Sequence, residues 1–135
     1  MKSWGYSADY PRRSIRSIDY RKQHMAIKDI KTKEELGREL GSGGDRFALF
    51  YSDWCPFCMR FLPEFEKLAA GDPGAFCKIS TDALPEAEAQ YSIEVVPTVL
   101  FFRGGNPDKR LDGILGRGLT PESLSEFVLF CRGGS

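Results

Sequence analysis

Two cysteines separated by two residues carry the clearest chemistry in this sequence of 135 residues. Cys55 and Cys58 follow the apolar run Phe47–Tyr51 and open a segment with helical periodicity. A thiol in the first turn of a helix faces unpaired backbone N–H groups and the positive end of the helix dipole, and both stabilise a thiolate. Cys58 falls on the apolar face of the same helix, so it should be shielded. The spacing therefore predicts dithiol–disulfide exchange, in which Cys55 attacks a substrate disulfide and Cys58 resolves the mixed disulfide.

The same spacing is also half of a zinc site, so this alternative depends on further ligands. A structural zinc site needs two more ligands, and the remaining candidates are Cys77, Cys131 and His24. The two cysteines stand alone in the sequence, and His24 lies near the amino terminus. We therefore predict no metal site. Cys77 and Cys131 are interpreted as buried thiols that act as small hydrophobic side chains, with a regulatory role as the alternative.

The elements that must position the cysteine pair alternate between strands and helices. In chain order they are a strand at 25–30, a helix with a capping box of Thr32 and Glu35, a strand at 46–52, the long helix after the cysteines, strands at 75–80 and 97–103 separated by a weak helix at 85–91, a turn at 104–108, a strand at 109–115, and a helix from Pro121. This order, β-α-β-α-β-α-β-β-α, predicts an α/β fold with a central mixed β-sheet and helices on both faces.

Composition and charge limit the classes of protein to consider. Hydrophobic residues make up 41% of the chain and charged residues 28%, which fits one globular domain and not a disordered chain. The 19 basic and 19 acidic side chains balance, which argues against a chain built as a whole to bind nucleic acid or an anionic membrane. No apolar run approaches the roughly 18 residues that span a bilayer. Residues 1–10 contain no apolar core of a secretory signal, so we expect a cytoplasmic protein.

The balanced charge is unevenly distributed along the chain. Residues 1–24 contain six basic and two acidic side chains, a net charge of +4, whereas residues 25–135 carry a net charge of −4. We therefore predict a basic amino-terminal extension over 1–24, disordered or packed late, and one domain over 25–135. The extension is interpreted as a solvated tail, with a basic arm for a partner or nucleic acid as the alternative.

Two segments of the sequence resemble the signatures of the thioredoxin family. The family's active-site strand and helix resemble the segment Phe47–Cys58 followed by Phe61–Ala69, with Pro63 five residues after the second cysteine. This segment is also similar to the catalytic domains of protein disulfide isomerases. The segment Tyr91–Gly105, YSIEVVPTVLFFRGG, resembles the second signature. The resemblance spans about residues 25–131. It implies the thioredoxin fold and disulfide reductase activity.

The resemblance also implies how a substrate binds. Pro97 matches the family's proline, which is cis and packs beside the redox pair, so substrates are expected to bind across the backbone before it. A cis bond there exposes the backbone groups of Val96, which can pair with an extended peptide as an added strand. Trp54 is expected to shield the cysteines and offer an apolar docking surface, with a role in helix packing as the alternative. No bound cofactor is expected, but a reductase or a low-molecular-weight thiol must regenerate the dithiol.

Two positions depart from the family pattern. The family carries a buried acid six residues before the first cysteine, and Leu49 occupies that position here. The lysine that partners this acid matches Lys78, which either favours a thiolate directly or is a charge at a strand edge. Between the cysteines, Pro56 and Phe57 resemble the glutaredoxin pattern. Because the intervening dipeptide helps to set the redox potential, we expect a less reducing protein than a standard thioredoxin.

Together these observations predict a thiol–disulfide oxidoreductase that reduces protein disulfides through Cys55 and Cys58. One alternative is a disulfide oxidase or isomerase, which the redox potential would distinguish. The other is a thioredoxin-fold binding module with little turnover, for which replacement of Cys55 by serine would leave binding intact.

Overall fold

Strands and helices alternate along the computed structural model, which describes residues 27–133. The strands are β1 (Lys28–Ile30), β2 (Asp45–Tyr51), β3 (Phe76–Ser80), β4 (Thr98–Arg103) and β5 (Asn106–Leu111). The helices are α1 (Lys33–Gly41), α2 (Pro56–Ala69), α3 (Glu86–Gln90) and α4 (Pro121–Cys131), with a 3-10 turn at Pro73–Ala75 before β3. The predicted extension at 1–24 and the predicted domain boundary lie outside the described residues.

The five strands form one mixed sheet in the order β1-β3-β2-β4-β5. The pairs β1–β3 and β3–β2 are parallel, whereas β2–β4 and β4–β5 are antiparallel. β2 therefore lies at the centre of the sheet and leads directly to the cysteine pair. This architecture confirms the predicted α/β fold with a mixed central sheet.

Alternate side chains of β2 enter two hydrophobic cores on opposite faces of the sheet. Phe47 and Leu49 pack in one core, with the buried faces of α2 and α4. Ala48 and Phe50 pack in the other, with residues of α1 and α3. Because successive strand residues point to opposite faces, a strand covered on both sides must be apolar at every position. This requirement explains the continuous apolar run in the sequence and confirms helices on both faces.

Local capping signals start two of the helices. The Thr32 hydroxyl accepts a hydrogen bond from the backbone N–H of Glu35 at 3.1 Å, and the Glu35 carboxylate accepts one from the Thr32 N–H at 3.2 Å. Thr120 and Ser123 make the equivalent reciprocal contacts at the start of α4. Each pair satisfies backbone donors that the helix cannot satisfy itself, so these boundaries can be recognised in the sequence.

The last hairpin differs from its prediction. The turn consists of Gly104 and Gly105 alone, and β5 runs from 106 to 111 instead of 109 to 115. Both glycines have positive φ, 60° and 90°, the conformation of a two-residue hairpin turn that follows the strand twist. Pro107 is tolerated because β5 is an edge strand and the register shifts between Phe101 and Phe102.

Candidate active site

The cysteine pair lies at the start of α2. Cys55 is the N-cap residue and is partly exposed, and Pro56 occupies the first helical position. A proline is favoured there because the backbone N–H at the first helical position has no acceptor within the helix, so a residue without an N–H loses no hydrogen bond. Cys58 lies one turn further along and is fully buried. The two thiols are therefore unequal, since Cys55 can meet a substrate and Cys58 cannot.

The environment of Cys58 keeps its thiol protonated at neutral pH. Burial raises the pKa of Cys58 to about 12, and its hydrogen bond and charge interaction with Cys55 act in the same direction. The backbone N–H of Ser52 opposes this shift because it donates a hydrogen bond to the Cys58 sulfur at 3.5 Å. Burial is the largest of these effects, so the Cys58 thiol stays protonated beside Cys55.

The Val96–Pro97 backbone faces the exposed thiol. The Cys55 Sγ donates to the carbonyl oxygen of Val96 at 3.6 Å. The Val96–Pro97 peptide bond is cis, as the family resemblance predicts, and Pro97 is buried whereas Val96 is partly exposed. The fold thus brings the two predicted segments together, although they are far apart in the chain.

The aromatic residues around the pair have different surroundings. Trp54 is 87% exposed, so it offers an apolar surface to solvent and little of its side chain packs against the protein. Phe57 lies under the backbone of Gly118, where an added Cβ would lie 2.9 Å from the Phe57 Cβ. The Arg60 guanidinium lies over the Phe57 ring at 5.3 Å from its centroid. The loop before α4 therefore holds Phe57 in place between the cysteines.

Lys78 lies away from the edge of the sheet. It belongs to β3, which has a neighbouring strand on each side, so the strand-edge alternative is wrong. Its Nζ forms an ion pair with Glu66 of α2 at 2.9 Å and lies 5.8 Å from the centroid of the Tyr51 ring. Leu49, at the position of the family's acid, is fully buried in the core. Glu66 is therefore the partner of this lysine.

Sequence reasoning missed Ser52 and Asp82, which connect the ends of two strands. The Ser52 hydroxyl donates to the Asp82 carboxylate, at 3.0 Å and 3.1 Å from its two oxygens, and the backbone N–H of Asp53 donates to it at 2.8 Å. The parallel pairing of Tyr51 with Ser80 places both residues at the same edge of the sheet. Polar residues that follow two neighbouring parallel strands are the sequence pattern from which the Ser52–Asp82 contact could have been predicted.

Metal ligands do not cluster in the part of the chain that the structure describes. Within residues 27–133, no group of three or more His, Cys, Asp or Glu side chains could hold a metal ion. No helix in that range combines the length and apolar character needed to cross a bilayer.

Comparison with known proteins identifies the family. The family model for thioredoxin matches residues 28–127. This chain belongs to the thioredoxin family. It is 34% identical over 102 residues to a thioredoxin-like protein of Fusarium culmorum, covering 73% of this chain and 84% of that protein. It is also 34% identical over 87 residues to a thioredoxin of Mycoplasmoides gallisepticum, covering 63% and 87%. A poplar thioredoxin h structure superposes with a TM-score of 0.66 at 25% identity, covering 78% and 96%.

Family membership and the fold confirm the predicted activity. Thioredoxins catalyse thiol–disulfide exchange. The two cysteines of this chain lie at the start of a helix, the position that this reaction requires. The protein is a thiol–disulfide oxidoreductase of the thioredoxin family.

Proposed function

We propose that the protein reduces disulfide bonds in protein substrates, with Cys55 as the nucleophile and Cys58 as the resolving thiol. The observation that carries this assignment is the unequal exposure of the two sulfurs, one partly exposed and the other fully buried. The Cys55 thiolate attacks one sulfur of the substrate disulfide, and the other substrate sulfur leaves with the bonding electrons and takes up a proton. Cys58 then displaces the remaining substrate sulfur, so the enzyme is oxidised by two electrons and the substrate is reduced.

Substrate binding is assigned to Trp54, Val96 and Pro97. An extended peptide beside Val96 would exchange backbone hydrogen bonds with it, which holds the scissile disulfide near Cys55. The Val96 carbonyl already accepts a hydrogen bond from the Cys55 thiol, so it lies within reach of a bound disulfide. Trp54 adds an exposed apolar surface. Pro56, Phe57 and Lys78 support the site by starting the helix, filling the space between the cysteines and pairing with Glu66.

Recycling of the dithiol is assigned to a reductase or a low-molecular-weight thiol in the cytoplasm, and the protein requires no bound cofactor. Two similar proteins support this assignment. One relative, from Mycobacterium leprae, is a bifunctional thioredoxin reductase/thioredoxin, 30% identical over 81 residues, covering 58% of this chain and 18% of that protein. One similar structure concerns the thiol resolving mechanism in yeast mitochondrial 1-Cys peroxiredoxin via glutathione/thioredoxin systems. We propose that electrons flow from such a donor through Cys55 and Cys58 to protein substrates.

A disulfide oxidase or isomerase is the second candidate. This chain is 30% identical over 108 residues to a probable protein disulfide-isomerase A6 of Medicago sativa, but covers only 28% of that protein. The Pro56-Phe57 dipeptide also favours a less reducing pair than that of a standard thioredoxin. Equilibration with glutathione buffers measures the potential, and a value as low as that of thioredoxin, about −270 mV, would refute the expected shift.

The test is reduction of insulin disulfides by the wild-type protein and by single cysteine variants. Cys55→Ser should show no activity above background, because no other exposed thiol can attack. Cys58→Ser should form a mixed disulfide with the substrate and fail to release it. Cys131→Ala is the control, since it removes a buried thiol outside the pair and should leave the reduction rate unchanged. An active Cys55→Ser variant would refute the assignment.

A further inference from the structure

The segment that carries Val96 belongs to no helix or strand. It runs from 91 to 97, between the end of α3 at Gln90 and the start of β4 at Thr98. An extended peptide can pair with Val96 only if the backbone there is held in one geometry, since a misplacement of about 1 Å in a reacting complex can cost on the order of 10²-fold in rate. The contacts that hold this segment therefore bear on substrate binding.

Arg110, on the edge strand β5, holds the start of the segment. Its Nη1 donates a hydrogen bond to the carbonyl oxygen of Tyr91 at 3.0 Å, and its Nη2 donates one to the carbonyl oxygen of Ser92 at 2.9 Å. Ser92 has a φ of 55°, in the left-handed region that favours glycine, so this conformation needs support from its surroundings. The Arg110 guanidinium supplies that support where the chain leaves α3.

Asp112 fixes the orientation of the Arg110 guanidinium. The Arg110 Nε donates to the two carboxylate oxygens of Asp112, at 3.0 Å and 3.2 Å, and Nη2 donates to one of them at 2.8 Å. All three guanidinium nitrogens thus have an acceptor, which fixes the plane of the group in a way that a lysine ammonium cannot reproduce. The two side chains are 36% and 56% exposed, so the pair contributes little to the free energy of unfolding.

Thr98 and Gly113 hold the other end of the segment. The Thr98 hydroxyl donates to the carbonyl oxygen of Val95 at 2.6 Å and accepts a hydrogen bond from the Gly113 N–H at 3.2 Å. A Cβ added at Gly113 would overlap the carbonyl oxygen of Pro97, so the backbone at Gly113 lies directly against the segment. Thr98 and the stretch 110–113 therefore contact both ends of the segment.

We propose that Arg110, oriented by Asp112, is a positioning residue that fixes the segment 91–97 so that the Val96 backbone meets an extended peptide beside Cys55. The proposal rests on the assignment of substrate binding to Val96. The Val96 carbonyl oxygen lies 3.6 Å from the Cys55 sulfur, so a shift of the segment changes the distance between a paired peptide and the nucleophile. Loss of Arg110 should therefore affect peptides that pair with Val96 more than small disulfides that have no backbone.

The test compares Arg110→Met with a matched control, Arg103→Met. Arg103 is also an exposed arginine paired with an aspartate, Asp108 at 3.2 Å, but it lies at the turn of the β4–β5 hairpin. Each reduced protein is mixed with one of two uncharged disulfides, either a blocked pentapeptide whose cysteine is disulfide-bonded to 2-mercaptoethanol, or 2-hydroxyethyl disulfide. Samples are quenched with acid over time, and the remaining disulfide is quantified by mass spectrometry. Each second-order rate constant is divided by that of dithiothreitol with the same disulfide.

We expect Arg110→Met to lower the rate constant for the peptide about 10-fold and that for 2-hydroxyethyl disulfide less than about 2-fold, because Thr98 still holds one end of the segment. Arg103→Met should leave both rate constants unchanged. Arg110→Lys keeps the charge but not the planar set of donors, so it should restore only part of the peptide rate. Amide hydrogen exchange over 91–97 should accelerate in Arg110→Met but not in β2, and its urea midpoint should stay close to that of Arg103→Met.

The outcomes separate the role of Arg110 from the assignment of Val96. An unchanged peptide rate or unchanged hydrogen exchange over 91–97 in Arg110→Met would overturn the proposal. So would equal losses with both disulfides, which indicate a generally distorted site, and full recovery in Arg110→Lys, which indicates that only the charge matters. If the wild-type protein reacts no faster with the peptide than with 2-hydroxyethyl disulfide, pairing at Val96 itself is refuted, and the role of Arg110 with it.

Discussion

Replacement of Gly118 by alanine tests how the loop before α4 holds Phe57. Gly118 has a φ of 76°, a conformation that alanine rarely adopts, and its added Cβ would lie 2.9 Å from the Phe57 Cβ. Carbon atoms at optimal separation are about 3.5–4.0 Å apart, so the substitution forces the ring or the loop to move. Movement of Phe57 displaces the segment between the two cysteines, and we therefore expect an effect on activity as well as on stability.

The magnitude follows from two separate contributions. The left-handed backbone conformation costs alanine about 1–2 kcal/mol, and the steric overlap costs about 1–3 kcal/mol more. Only the second contribution depends on Phe57. In a Phe57→Gly background the Cβ and the ring of Phe57 are both absent, so Gly118→Ala should then cost about 1–2 kcal/mol alone. The coupling free energy between the two positions should accordingly be about 1–3 kcal/mol.

The assay is a double-mutant cycle. Urea unfolding of the wild type, both single variants and the double variant gives the coupling free energy, and insulin reduction by the same four proteins gives the effect on activity. Gly116→Ala is the control, because Gly116 also has a positive φ, 80°, but an added Cβ would meet no atom within 4 Å. Additive free energies at Gly118 and Phe57 would refute the steric argument.

Three further perturbations test the contacts around the site. Lys78→Met should destabilise the protein by about 1–2 kcal/mol in urea unfolding, because it leaves the half-buried Glu66 carboxylate unpaired. The double variant Lys78→Met/Glu66→Gln should recover part of this loss. An unchanged urea midpoint in Lys78→Met would contradict a stabilising ion pair. Thr32→Ala should cost about 1 kcal/mol in the same measurement by removing the capping box, whereas equal stability would show that the cap contributes nothing. The Cys55→Ser variant isolates the Cys58 thiol, whose thiolate absorbance in the ultraviolet is obtained by difference from Cys55→Ser/Cys58→Ala. This absorbance should be absent at neutral pH and rise only at alkaline pH, because burial, the largest cause of the raised pKa of Cys58, is unchanged in the variant. A transition near neutral pH would contradict the shielded thiol.

The last hairpin shows why parts of the fold are harder to predict. The sequence Gly-Gly-Asn-Pro-Asp contains several turn formers in succession, and each of them favours a turn when it is considered alone. The structure uses only Gly104 and Gly105, because a two-residue turn with positive φ at both positions matches the twist of the paired strands. Pro107 then lies in the edge strand, the position in a sheet where a residue without an N–H is tolerated. The register shift in β4 that accommodates it has no local signal in the sequence.

The sequence by itself determined the order of the elements, the helix starts at Thr32 and Pro121, and the place of Cys55 and Cys58 at the head of the long helix. These features depend on local patterns: capping residues, hydrophobic periodicity and the spacing of two thiols. Only the tertiary structure decided three contacts around the site, namely Ser52–Asp82, Lys78–Glu66 and Phe57–Gly118. Each of these contacts joins residues on different elements, and its formation depends on strand register and on the packing of a helix or loop against the sheet. Those arrangements follow from burial of the whole core, which no short segment of sequence encodes.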